Sequence, residues 1–173
     1  MLRLAVVAFL LWSLPADAQE RFTGNVVGVA DGDTISVLRD GRSVRVRLEG
    51  IDCPEKGQDF SARAKQFTSD LTFGKEVTVD VRDVDRYGRL VARISVGGQD
   101  VSVALVRAGL AWHFTKYSRD PILAEGEQSA RTAKRGLWGQ GSPTAPWEFR
   151  RLRQSNRNQR STSASPMSAP GCA

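Results

Sequence analysis

Five stretches in which apolar and polar residues alternate, separated by glycine turns, leave this chain few ways to fold. Residues 25–30 and 35–39 flank Asp31-Gly32-Asp33-Thr34, and Asp40-Gly41 leads into residues 43–49. Successive strand residues point to opposite faces. Val44, Val46 and Leu48 therefore form one stripe, and Ser43, Arg45, Arg47 and Glu49 the other. Asp-Gly between alternating runs is a strong hairpin signal. Residues 76–83 repeat the alternation with Val77, Val79 and Val81, and residues 90–96 answer it across a turn at 85–88.

Helical spacing appears in three places. Phe60, Ala64, Phe67 and Leu71 share one face of a helix predicted over 60–71. A second covers 101–108 with Gly109 as its stop, and a third starts at Pro121 and runs to about Arg135 before Gly136. Five strands with a helix between the third and fourth suit a mainly β, α+β fold, an OB-type five-stranded Greek-key barrel with three helices. An open antiparallel α+β sheet is the alternative.

The ends differ from this folded part. Met1-Leu2-Arg3, an apolar run to Leu14 and Pro15-Ala16-Asp17-Ala18 predict a signal peptide over 1–18, cleaved after Ala18, and hence a periplasmic or secreted protein. The folded domain is expected over 19–140. Residues 141–173 are Ser-, Asn-, Gln- and Pro-rich and are expected to be a basic, disordered tail. The formal charge of +6 belongs mainly there, because residues 149–173 hold five arginines and no acid. Such a tail reads either as a solubilising end or as a contact to a polyanion backbone.

With one histidine and two cysteines, Cys53 and Cys172, the 173-residue chain has no disulfide-dense scaffold, no four-cysteine zinc site and no His-rich site. Its chemistry falls to carboxylates, arginines and hydroxyls. Three segments at strand ends concentrate them: Asp31-Gly32-Asp33-Thr34; Arg47 with Gly50-Ile51-Asp52-Cys53-Pro54-Glu55; and Asp85-Arg86-Tyr87-Gly88-Arg89. Asp33, Asp52 and Glu55 are three oxygen-donor residues suited to a hard divalent cation, without the spacing of an EF-hand. Pro54 biases Cys53 to an extended backbone, which aims the Cys53 carbonyl and the Glu55 carboxylate the same way.

Taken together with 104–111 and Gly136-Leu137-Trp138, these segments resemble the thermonuclease, or staphylococcal-nuclease-like, family over about residues 22–139. The resemblance implies an OB barrel and a calcium-dependent nuclease acting on DNA and RNA, cleaving the 5′ P–O bond. It implies Asp33, Asp52 and the Cys53 backbone carbonyl as calcium ligands. Glu55 then manages the attacking water, Arg47 and Arg89 hold the phosphate, and Tyr87 and Tyr117 contact substrate. The loop at Lys56-Gly57-Gln58-Asp59 is shorter than in the family's best-known member, and Cys53 stands where that member has a hydroxyl residue.

Other residues read as structural: His113 as partly buried or at the surface, Cys53 as a small buried side chain, and Trp112, Trp138 and Trp147 as packing. Asp31, Glu49 and Asp85 read as turn and surface partners, and Arg45 as a solvated neighbour of Arg47. A monomer without a stable protein partner is expected. Two other readings are a non-catalytic nucleic-acid-binding OB module and a protein-interaction module. A pure binder has no reason to keep Asp33, Asp52, Glu55, Arg47 and Arg89 together.

Overall fold

The alternating valines and isoleucines fold as one curled sheet in the computed structural model, which describes residues 20–163. The strands are β1 (Arg21–Asp31), β2 (Thr34–Arg39), β3 (Arg42–Leu48), the short β4 (Ile51–Asp52), β5 (Glu76–Val84), β6 (Leu90–Val96), and the short β7 (Gln99–Asp100) and β8 (Trp112–His113). Neighbours run in the order β3-β2-β1-β5-β6-β7. A parallel pairing of β3 with β6, Val46 opposite Leu90 and Leu48 opposite Ala92, closes β1, β2, β3, β5 and β6 into a barrel. Closure removes the exposed edges of an open sheet, so the OB-type barrel holds and the open sheet does not.

Ile35, Val37, Val46, Leu48, Val79, Ala92 and Ile94 fill the barrel with no measurable exposure. The helix α1 (Ser61–Thr72) crosses between β4 and β5 and presses Ala64, Thr68 and Thr72 inward. Phe60, Phe67 and Leu71 pack against the same core. The helices α2 (Val101–Arg107) and α3 (Pro121–Thr132) start where the sequence can cap them. Asp100 accepts from the Val103 N–H at 2.9 Å, and Asp120 accepts from the Ile122 N–H at 2.8 Å. These carboxylates satisfy N–H groups that the first helical turn leaves open. A 3-10 turn, Gly136–Gly139, follows.

Within the span expected to be a disordered tail, Pro146–Ser163 form a fourth helix, α4, which corrects that expectation for these residues; residues 164–173 lie outside the described residues. Its composition is polar, yet its first turn is tied to the body. Ala145 and Pro146 are buried, and Trp147 stacks on Phe114 with ring centroids 5.2 Å apart and planes 2° apart. His113 is also corrected. It is 5% exposed, held in β8 against β4, and its Nε2 has no hydrogen-bond partner among the described residues. Trp112 and Trp138 pack edge to face at 5.3 Å, as expected of packing residues. The signal-peptide reading over 1–18 and Cys172 lie outside the described residues. Among those residues no helix is long and apolar enough to cross a membrane.

Candidate active site

Strand register brings the chemical residues to one end of the barrel. Thr34 opens β2 opposite Arg47 of β3, and Arg47 lies opposite Val91 of β6, two residues after Arg89. Asp33 precedes β2, while Asp52 ends β4. Gly32 makes the turn possible. A Cβ there would stand 2.8 Å from the Ala64 Cβ and 2.9 Å from the Cys53 Cβ. The Gly32 carbonyl instead accepts from the Thr68 hydroxyl at 2.6 Å, which pins the Asp31–Thr34 turn to α1.

From these positions a continuous polar network forms. Arg47 Nη1 donates to Asp33 Oδ1 at 3.0 Å, and Arg47 Nη2 donates to Asp52 Oδ1 at 2.7 Å. The Cys53 N–H donates to Asp33 Oδ2 at 2.9 Å, and the Thr34 hydroxyl donates to Asp33 Oδ1 at 3.2 Å. Arg89 Nη1 points to the Thr34 hydroxyl at 3.4 Å. Its Nε and Nη2 are both held by Asp85 Oδ2 at 2.7 Å, which fixes the plane of the guanidinium. Asp85 itself accepts from the Tyr87 and Arg89 N–H groups.

Burial divides the carboxylates. Asp33 is 4% exposed and Asp52 1%, whereas the Glu55 side chain is 34% exposed and open to water. Burial pushes the Asp33 carboxyl up to about 7; Arg47 opposes this and Asp31 adds to it. Burial also raises the Cys53 thiol well above its ordinary range, reinforced by Asp33 and Asp52. A thiol held protonated is a poor nucleophile, so Cys53 serves as packing and through its backbone.

The expectation that three carboxylates converge takes a different form. No three of His, Cys, Asp and Glu form a ready metal cage among the described residues. Positive groups bridge them in pairs instead. Arg47 joins Asp33 to Asp52, and Arg150 joins Asp52 to Glu55. Arg150 Nη2 donates to Asp52 Oδ2 at 2.7 Å and Nη1 to Asp52 Oδ1 at 3.3 Å, while Nη1 also makes a close ion pair with Glu55 Oε1. Burial works against the charge on Arg150, but its bonds to Asp52 and Glu55 outweigh this and raise its pKa. Sequence reasoning missed Arg150. The only signal was a basic residue in the arginine-rich segment after Glu148, and nothing local tied it to a loop 95 residues earlier.

Tyr87 is exposed at the rim, with the Arg89 guanidinium 5.5 Å from its ring centroid. Tyr117 is placed elsewhere. It lies edge-on to Phe114 and lines a separate cleft of about 340 Å³ with Glu49, Arg82, Arg93 and Asp120. Arg45 is exposed, as expected of a solvated neighbour.

Two buried carboxylates, a solvent-facing carboxylate and two oriented arginines thus gather at one end of the barrel, groups suited to grip an anionic group and to take a proton from water. The profile described as Staphylococcal nuclease homologue matches residues 45–140 of this chain. A micrococcal nuclease from Shigella flexneri is 39% identical over 165 residues, spanning 89% of this chain and 94% of that protein. An uncharacterized endonuclease from Escherichia coli O157:H7 is 43% identical over 128 residues, 73% of this chain and 84% of that protein. One from Haemophilus influenzae is 37% identical over 144 residues, 83% and 81% of the two chains.

Proposed function

The chain belongs to the staphylococcal nuclease homologue family and is a phosphodiester hydrolase, and from that premise we propose that it is an exported, calcium-dependent endonuclease acting on DNA and RNA. The single observation that supports the chemistry is the polar network in which Arg47 bonds Asp33 and Asp52 and Arg89 reaches the neighbouring Thr34 hydroxyl, with the wet Glu55 alongside.

The ligand set proposed for the cation is Asp33, Asp52 and the Cys53 carbonyl. Two features of the site fit such a group. Its donors are all oxygen, as calcium prefers, and Asp52 and Glu55 already share one positive group in Arg150. When bound, the ion supplies charge neutralisation and orientation of the phosphate.

The chain's own residues do the rest. Hydrolysis adds charge to a centre that is already anionic, so fixed donors aimed at the phosphate oxygens act most strongly as that charge grows. The planar forks of Arg47 and Arg89 suit two oxygens at a time. Asp85 holds Arg89 in one orientation before substrate arrives. Glu55 takes the proton of the water whose oxygen bonds to phosphorus. The bond from phosphorus to the 5′ oxygen breaks, that oxygen takes a proton from solvent, and a 3′-phosphate and a 5′-hydroxyl result. Tyr87, beside Arg89, is the proposed rim contact for a base or sugar. Tyr117, in its separate cleft, is proposed only as a contact for more distant substrate.

In single-turnover assays on end-labelled DNA, Glu55→Gln keeps substrate binding and loses about 10²–10⁴ in rate, the usual worth of general-base help. Near-wild-type turnover by that variant sinks the assigned mechanism.

A further inference from the structure

Arg150 is a positive group that the proposed hydrolysis does not require, and it occupies the two carboxylates that the reaction needs most. Its Nη atoms engage both oxygens of Asp52 and Oε1 of Glu55. Asp52 is a proposed cation ligand and Glu55 the proposed base. A divalent cation and this guanidinium compete for the same oxygens, and Glu55 paired in this way is not free to accept a proton from water.

The way α4 is mounted allows this pairing to break. Its buried attachment is at its start, where Ala145 and Pro146 are buried and Trp147 stacks on Phe114, and farther along Arg153 Nη1 donates to the Lys56 carbonyl at 3.3 Å. Residues 151–159 are all exposed. The helix lies beyond the residues matched to the family profile, which end at 140. It also carries no acid after Glu148, so a polyphosphate backbone favours it once it has left the carboxylates.

We infer that Arg150 is a built-in competitor for the catalytic cation: α4 closes the site with a guanidinium between Asp52 and Glu55, and the ion binds only when Arg150 has left. This rests on the cation-dependent nuclease reading. Apparent affinity falls by the fraction of molecules that are open. One charge-assisted hydrogen bond, net, sets that fraction between about one in ten and one in a hundred.

The test is calorimetric titration of Ca²⁺, without nucleic acid and at low ionic strength, into the full chain and its variants. Arg150→Gln binds Ca²⁺ about 10- to 100-fold more tightly than the wild type. Trp147→Ala, which unseats the first turn of α4 without touching a carboxylate, shifts affinity in the same direction. Arg157→Gln, with the same change of charge farther along the same exposed face of the helix, changes it by less than about threefold. Unchanged or weaker binding by Arg150→Gln overturns the inference, as does an equal gain in Arg157→Gln. If that result comes with calcium-dependent DNA cleavage by the wild type, only the competitor role falls. If Arg150→Gln binds no Ca²⁺ at all, the calcium reading falls with it.

Discussion

Arg89 shows how much of the proposed chemistry depends on one side chain being held still. Two of its nitrogens are fixed on Asp85 Oδ2 and the third faces Thr34. Arg89→Ala is expected to lower kcat by about 10²–10³, the scale of one missing oxyanion donor. Asp85→Asn frees the guanidinium without removing it, so kcat falls while the KM for DNA moves little; a loss confined to KM in steady-state assays contradicts that. Burial works against the charge on Asp85, but hydrogen bonds from the Arg89 side chain and the Arg89 and Tyr87 N–H groups hold its carboxyl below the usual carboxylate range. A carboxyl whose folded pKa is depressed adds stability that is present above its unfolded value and is lost as pH falls through the folded one. The stability gap between wild type and Asp85→Asn, followed by urea unfolding, is therefore full at neutral pH and closes below about pH 4. Arg47, Glu55 and Arg89 were all legible in the sequence because each sits at a strand end or turn beside an informative motif. Arg150 was not, since its partners are fixed only when residues 52–55 and the start of α4 meet in space.

At the scale of elements, what could be read and what could not divide along physical lines. The strands were legible because alternation reports burial directly: Val77, Val79 and Val81 all face the core. Helix α1 begins within a residue of where its spacing predicts, although two of its three buried side chains, Thr68 and Thr72, are polar and carry no apolar signal. Their hydroxyls bond back to the Ala64 and Thr68 carbonyls, and Thr68 also reaches Gly32. Helix α4 was illegible because beyond Leu152 it has almost no apolar residue, and its support includes contacts to residues distant in sequence, among them the Trp147–Phe114 stack and the Arg150 ion pairs. Short isolated helices are marginal in water, so composition alone read this one as disordered. Gly32→Ala tests the joint between the active-site turn and α1. Overpacking against Ala64 and Cys53 should cost about 1–3 kcal/mol in thermal or urea unfolding and should lower activity by displacing Asp33. Cutting the chain after Glu148 removes the arginine row, so DNA binding weakens most at low salt. Its logarithmic salt slope should shrink by about 0.9 for every duplex phosphate that the arginines no longer neutralise. An unchanged slope removes α4 from substrate binding.

For the whole molecule, barrel closure is the event that assembles the site. Arg47 arrives on β3 and Arg89 just ahead of β6, and these meet only through the parallel pairing that shuts the barrel. Alternation alone could not decide between a closed barrel and an open sheet, because both bury the same stripes; the β3–β6 pairing joins segments far apart in the chain. Ile35, fully buried and paired with Val46, supports that closure from inside. Ile35→Ala is expected to destabilise by about 2–5 kcal/mol. Charge is distributed at this scale too. With five arginines after residue 148 and a nearly balanced remainder, attraction to a polyanion is concentrated on the segment whose Arg150 pairs with Asp52 and Glu55. These carboxylates and arginines are proposed to hydrolyse nucleic acid with a bound calcium ion. Digestion of plasmid DNA by the purified protein, with calcium, with a chelator, and with Glu55→Gln alongside, tests this. Degradation that requires both calcium and Glu55 is the predicted result. Plasmid cut equally well in chelator, or by Glu55→Gln, would contradict it.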